Sequence, residues 1–414
     1  MRVSTSQIYG TGLDSIQRQQ AEVSRVQQQL ASGKRILTPS DDPGGAVQAL
    51  QFKESMARLE QYSRNGGVAE SRLRQEEAVL GQVMDGMQRV RELAIQGNNA
   101  SQTPETRRAI ATEVRQQLDQ LYNLANTRDG NGEYMFAGIA SLDRPFSPTA
   151  AGAVFNGSAQ TRDIALSDIQ RVRLGDSGEA VFMGIVEGNG RFVATESAAN
   201  TGSGVVQETS VPSPALWDGN PRTLRFTAPD AWEVTAVQLD VDGNPVLDGD
   251  GNPIEVVTAT GSYAPGETLV FEGLSMRLSG APATGDTFEV RPAEGQDMFA
   301  IYSSLADALE QPASTGPDRA RQAGAIGRVL ADLDQAGNRI SDVRSSVGAR
   351  LNTIEAQDSQ RETEMLEMNR TLSEIEDLDY AEAISRFNLR MVGLEAAQQS
   401  YTMLARLTLF DFMR

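Results

Sequence analysis

The chain has 414 residues, no cysteine, no histidine and a formal net charge of −19. Those absences remove thiol nucleophiles, Ser-His-Asp triads, HExxH zinc sites and Cys/His zinc clusters, and they leave no disulfide to staple the fold. The acidic balance disfavours nucleic acid and anionic membrane as partners, since both require a basic face. Residues 141–300 hold 22 acidic and 9 basic side chains, a net −13 that leaves −6 for the two ends. The middle therefore reads as solvated and the ends as free to associate. No apolar run approaches the length of a membrane helix. The N-terminus shows no signal-peptide type of segment.

Helical periodicity comes first. Tyr9, Leu13, Ile16, Gln20, Val23, Gln27 and Leu30 alternate four and three apart, which predicts a helix with a coiled-coil seam. Gly33 suits a helix C-cap. Pro39 stops the chain, and Asp42-Pro43 suits the N-cap and first position of a second helix over 46–62. After Gly66-Gly67 a third helix is predicted from Ala69, Leu73, Glu76, Leu80, Val83, Met87, Val90 and Ala94. Thr103-Pro104 opens a fourth, with Ile110, Val114, Leu118, Leu121 and Ala125 on one face. The Gly/Asn-rich stretch 128–132 is a turn signal leading into a short strand, 133–137.

Across 139–295 the periodicity gives way to Gly, Pro, Thr and Val with short alternating runs such as Leu224-Arg225-Phe226-Thr227. This predicts an inserted domain of short strands. Helix resumes at Met298, Tyr302, Leu305 and Leu309, and 312–318 reads as a linker. Then a heptad stripe runs from Ile326 through Ile340, Leu351 and Leu372 to Ile375, apolar at 11 of its 15 positions. At 1.5 Å per residue it would span roughly 75 Å and needs a partner along that length. Beyond Asp377-Leu378-Asp379 a last helix carries Ile384, Phe387, Met391, Leu394, Tyr401 and Ala405, and the chain ends on an apolar run at 407–412.

The expected fold is mainly α with an inserted all-β domain: an elongated helical rod built from both chain ends, with terminal coiled-coil arms. The expected division is arms at 1–42 with 376–414, rod at 43–138 with 296–375, and a β-rich outer domain at 139–295. The rod core is expected to hold Leu80, Val83, Met87, Val90, Leu351, Ile354, Leu372 and Ile375. The arms would present an assembly interface of Leu13, Ile16, Val23, Leu30, Ile384, Phe387, Met391, Leu394 and Tyr401, ordering fully only against neighbours.

Three motifs invite chemistry. Gly33-Lys34-Arg35 fails the phosphate-loop pattern, because Gln28 replaces its first Gly and Arg35 its Ser/Thr. Asp240-Val241-Asp242-Gly243-Asn244-Pro245 and its echo from Asp248 to Pro253 resemble Ca²⁺ loops, but their glycine is fourth rather than sixth; an acidic-tipped hairpin fits better. Asp41-Asp42 and Glu76-Glu77 are adjacent carboxylates, which on a helix do not share a face, so capping and solvation are expected of them. No catalytic residue, cofactor or metal is expected.

Leu30-Ala31-Ser32-Gly33-Lys34-Arg35-Ile36 with Pro39-Ser40-Asp41-Asp42-Pro43, Arg91-Glu92-Leu93-Ala94-Ile95-Gln96-Gly97-Asn98-Asn99 and Gly132-Glu133-Tyr134-Met135-Phe136-Ala137-Gly138 together resemble the bacterial flagellin family. The prolines around Asp41-Asp42, the segment Gly285-Asp286-Thr287-Phe288-Glu289-Val290 and the ending 407–412 are more similar to the family's hook–filament junction branch than to its filament subunits. The resemblance implies a structural, non-enzymatic axial protein of the flagellum, secreted through the flagellar type III export channel without a cleaved signal peptide and serving motility. It further implies flagellin and the preceding hook-associated junction protein as neighbours, self-association in a ring, and a cytosolic export chaperone. The alternatives are a flagellin filament subunit, or a ligand-binding or adhesive β module on a structural stem.

Overall fold

The computed structural model describes residues 5–240, 244–248 and 251–411, with side chains from residue 10 to 403 within that set. The apolar ending at 407–412, Tyr9 and the middle of each Asp-Gly-Asn-Pro repeat lie outside the described side chains. Helix α1 spans Thr5–Ser32, α2 Pro43–Gly97 and α3 Pro104–Ala125. Short strands follow: β1 Phe146–Pro148, β2 Ala153–Phe155, β3 Asp163–Ala165 and β4 Arg171–Arg173, then the one-turn helix α4 Gly178–Phe182 and β5 Ile185–Val186. The longer strands are β6 Phe192–Glu196, β7 Val205–Ser210, β8 Arg222–Ala228, β9 Ala231–Val237, β10 Glu255–Ser262, β11 Thr268–Phe271, β12 Leu274–Ser279 and β13 Thr287–Pro292. After β14 Gly295–Gln296 the chain returns to helix, with α5 Met298–Glu310, α6 Gly316–Glu376 and α7 Tyr380–Asp411. This is the flagellin-type order of helical ends around a strand-rich middle.

Caps behave as the residues dictate. Gly33 is left-handed (φ 71°) and its N–H donates to Gln29 O at 2.9 Å, a conformation that costs glycine little. The Asp42 carboxylate accepts from the Gly45 N–H at 2.9 Å, with Pro43 as first helical residue. Thr103 caps α3 through the Thr106 N–H.

Two expectations fail. Gly66-Gly67 does not divide two helices, because α2 runs straight through it. Gly66 is buried, and a Cβ there would lie 3.4 Å from Asp358 Oδ1 and 3.6 Å from Arg361 Nη2. The close approach of α6 uses the missing side chain, offsetting the ~1 kcal/mol that glycine costs inside a helix. Residues 133–137 form no strand. Only Tyr134 makes an isolated bridge, to Arg128. The Met135 N–H donates to Thr127 O at 3.0 Å and the Tyr134 N–H to Ser141 O at 2.7 Å, while Met135, Phe136 and Ala137 are buried. The run is apolar because it enters the core as a folded loop.

Two compact units divide the chain: Met1–Gly66 with Glu355–Arg414, and Gly67–Ile354. In the first, α1 lies against α7. A Cβ at Gly12 would come within 3.0 Å of the Tyr401 ring, Gly393 faces Gln19, and Arg390 reaches Glu22 at 3.9 Å. Val23 and Val26 of α1 and Ala383 of α7 are buried.

The second unit has two apolar cores. One joins Leu80, Val83, Met87 and Val90 of α2 with Val114 and Leu121 of α3, Phe299 and Tyr302 of α5, and Ile326, Ile340, Val347 and Ile354 of α6. Phe146, Val172, Phe182 and Ile185 belong to this same core, with rings packed edge-on between Phe146 and Phe182. The other core, from Phe192 to Val290, lies among antiparallel sheets ordered β10-β9-β8-β13-β6 and β11-β12-β7. Its strands alternate as expected: Leu224 and Phe226 are buried, Arg225 and Thr227 exposed. The change of composition at 139 is therefore not the change of core, which falls between Ile185 and Phe192. Between them sits a neck. β5 pairs with β14 through Val186↔Gly295, and the Glu187 N–H donates to Glu294 O at 3.0 Å.

Replacing 187–294 by a two-residue Asn-Gly turn should leave a cooperative helical melt by circular dichroism, because both cut ends already face each other across an antiparallel pair. Excising 141–295 instead removes Phe146, Phe182 and Ile185 from the helical core. At several kcal/mol per large side chain lost, that protein should not fold. A pair of glycines gives a second check. Gly184→Ala meets open space at φ 63° and should cost about 1 kcal/mol, whereas Gly138→Ala places its Cβ 2.1 Å from Ser158 O and should cost clearly more in a urea titration.

Candidate assembly surface

The breaks in the two terminal helices meet. Gly33 to Asp42 follows α1, and Asp377 to Asp379 precedes α7. Lys34 forms a bridge with Asp377, the Leu378 N–H donates to Gly33 O at 3.0 Å, and the Arg35 N–H donates to Glu376 O at 2.7 Å. The Arg35 guanidinium caps the end of α6, donating to Ile375 O at 2.8 and 3.2 Å. Glu376 is the electrostatic centre. Lys34 lies 2.9 Å from one carboxylate oxygen and Lys53 of α2 holds the other. Burial alone would push the Glu376 pKa up; the two ammonium groups outweigh it and hold it below the usual carboxylate value.

The segment between is pinned by Asp41. Its Oδ2 accepts from the Thr38 N–H at 2.8 Å and the Leu37 N–H at 3.0 Å, and Arg25 of α1 pairs with its other oxygen. The Thr38 hydrogen bond foremost, then Arg25, lowers its pKa to about 2. Asp42 thus caps α2 as its sequence suggested, whereas Asp41 holds the turn before it rather than a helix end.

The expected arm residues take different positions. Val23 is buried; Ile16, Leu30, Phe387, Met391, Leu394 and Tyr401 are half-buried; Leu13 and Ile384 are 48% and 51% exposed. Leu389 and Val392 of α7, which the heptad reading passed over, are 73% and 65% exposed. Of the expected rod core, Leu80, Val83, Met87, Val90 and Ile354 are buried, whereas Leu351, Leu372 and Ile375 are only half-buried. Leu372 and Ile375 belong to the first unit, whose buried side chains include the charged Arg361 and Glu376 beside a few apolar ones such as Leu378.

Sequence reasoning missed Lys34, Arg35, Lys53 and Glu376 as a set. The signal was that both periodic stripes break on residues able to leave a helix, Gly33 and Asp377-Leu378-Asp379. In the Asp-Gly-Asn-Pro repeats, the first aspartate of each serves its own turn. Asp240 and Asp248 accept from the Asn244 and Asn252 N–H groups, each at 2.9 Å. Among the described residues no group of three or more acidic side chains could hold a metal ion, and no helix is long and apolar enough to cross a membrane.

The terminal helices are those of flagellar axial proteins. Residues 3–141 match the bacterial flagellin N-terminal helical region and 330–410 the C-terminal helical region. The flagellar hook-associated protein 3 of Escherichia coli (strain K12) is 24% identical over the full length of both chains. A crystal structure of Xanthomonas campestris FlgL is 31% identical with a TM-score of 0.69, covering 78% of this chain and 99% of that one. The flagellar junction protein FlgL of Legionella pneumophila is 30% identical with a TM-score of 0.69, covering 80% and 100%. The class is therefore a structural axial protein of the bacterial flagellum. Within it, the chain belongs to the hook-associated protein 3 (FlgL) family.

Glu376→Gln should weaken the fold by about 1 kcal/mol at pH 7, the scale of half-exposed ion pairs. Because the native pKa is depressed, this stabilisation is present above the ordinary value of 4.5 and lost as pH falls through the native one. Thermal melts of the two proteins should differ at pH 7 and converge as the medium is acidified into that range.

Proposed function

We propose that this protein joins the hook region of the flagellum to its filament purely by subunit packing, without enzymatic activity. The observation that carries the reading is the incomplete cover of the terminal helices. Leu13, Ile384, Leu389 and Val392 stay largely exposed on helices that already pack on each other, and burying such surface against a partner is favourable. The arms, 1–42 with 376–414, are the assembly elements in this reading. The helical body between them sets geometry, and the strand-rich part beyond the neck faces outward with its acidic surface. The neighbours are flagellin on one side, the preceding hook-associated junction protein on the other, and further copies in a ring. The route is export through the flagellar channel to an extracellular position, with a cytosolic chaperone covering the C-terminal region beforehand.

Cells lacking the gene should assemble hooks yet fail to retain filaments, and should not swim; a deletion strain that swims with attached filaments would overturn the reading. Point variants sharpen it. Leu389→Asp and Val392→Asp should leave the monomer's melting within about 0.5 kcal/mol of wild type, as for ordinary surface changes, yet abolish filament retention in the complemented strain. Leu80→Asp, a carboxylate in a fully buried position, should instead prevent folding, at a cost of several kcal/mol.

A further inference from the structure

The chain after β4 carries ionisable groups into the helical core. Glu76 of α2 is only 2% exposed, contrary to the solvated position expected for the Glu76-Glu77 pair. Its Oε1 accepts from the Asp176 N–H at 3.0 Å. The buried Asp176 carboxylate pairs with Arg350 of α6 through Oδ2, and Arg173 stands 3.5 Å from Oδ1. Glu76 Oε2 and Arg350 Nη1 have no hydrogen-bond partner. Gly175 closes over that oxygen, since a Cβ there would lie 3.3 Å from Glu76 Oε2 and 3.8 Å from Arg72 Nε.

The surrounding charges are committed elsewhere. Arg72 serves Asp129 at 2.8 Å and Glu133 at 3.4 Å, and Glu133 is shared with Arg162. Glu77 pairs with Arg344 of α6 at 2.6 Å. Two buried carboxyl groups thus face one buried guanidinium. With both ionised, the Glu76 carboxylate has no ion-pair partner of its own in a poorly solvated place, because Arg350 and the 55%-exposed Arg173 both pair with Asp176; one proton removes that charge.

We infer that Glu76, Asp176 and Arg350 form a proton-operated latch, in which a proton held by the carboxyl pair keeps segment 174–178 docked on α2 and α6, and its loss to solvent at alkaline pH releases that segment. Release matters to the fold. The Gly178 N–H donates to Phe136 O at 2.7 Å, and α4, which begins there, places Val181 and Phe182 in the core. Burial foremost, then the neighbouring Asp176 charge, pushes the Glu76 pKa far above the carboxylate range; the Asp176 N–H, Arg350 and Arg72 only partly oppose this. The native state therefore binds one proton more than the unfolded chain across neutral pH. Stability falls as pH rises from the ordinary carboxylate range to the native pKa, by at most tenfold in the unfolding constant per pH unit.

Glu76→Gln keeps the shape and removes the titration. Wild type should melt at progressively lower temperature from pH 6 to pH 9. The amide hydrogens of residues 175–178 should exchange at least tenfold faster at pH 9 than intrinsic base catalysis explains. The variant should show a flatter melting profile, no excess exchange, and a higher melting temperature than wild type at pH 9. A variant with the wild-type pH slope, or wild-type exchange at 175–178 that follows intrinsic rates alone, would overturn the latch. Should Glu76→Gln not fold, Asp176→Asn gives the same reading: relieved of its charged neighbour, Glu76 should titrate lower, and an unchanged alkaline profile would count against the proposal.

Discussion

A helix with an apolar stripe is stable only when something covers the stripe, and here the cover comes from distant parts of the chain. In the second unit, the buried face of α2 is closed by α3 and α5 and by α6, which begins after the whole strand-rich segment has intervened. In the first, α1 is covered by α7, the opposite end of the protein. The small residues sit where this cover is closest: Gly97 beneath Leu309, Gly337 beside the Met87 sulfur, Gly66 beneath Arg361.

The features read correctly from the sequence are those with a local cause. Asp42-Pro43 and Thr103-Pro104 start helices because a short polar side chain and a ring-fixed φ act within one turn. Leu224 to Thr227 alternates because a strand has one buried face. What the sequence concealed depends on contacts made far along the chain. Gly66-Gly67 looks like a break until α6 is placed against it. The run Tyr134-Met135-Phe136 has a strand's composition, but its backbone bonds go to Thr127, Ser141 and Gly178. Glu76 occupies a stripe position, yet beside Glu77 its sequence suggests a solvated carboxylate; only the arrival of Asp176 and Arg350 shows why a carboxyl group belongs there. On the candidate assembly surface the stripe residues are legible, but Leu389 and Val392 are not. They lie off the seam, and their significance comes from what fails to cover them.

Charge and apolar surface are sorted in complementary fashion. The acidic excess is concentrated in 141–300, while paired charges gather where backbone breaks must be held, around Glu376 and Asp41. Surface ion pairs of the Arg89–Glu113 kind add little stability. Those at Glu376 matter through position, since they fix where one helix stops and another begins. The apolar side chains left open on α7 belong to a helix whose inward contacts are largely half-buried, so the same element can hold its place in the monomer and still gain from neighbours.

The Glu376 clasp also has a temporal meaning. Lys34 and Glu376 are 342 residues apart, and closing a disordered loop of that length costs on the order of 5 kcal/mol. No chain that ends before residue 376 can form the contact, and an unfolded one gains too little from it to hold it closed. It becomes favourable only after folding of the intervening chain has brought its partners together, which places it among the last native contacts to form. The clasp therefore works as a progress mark: a molecule in which it is closed is one whose chain has been made through residue 378 and whose intervening segments have folded.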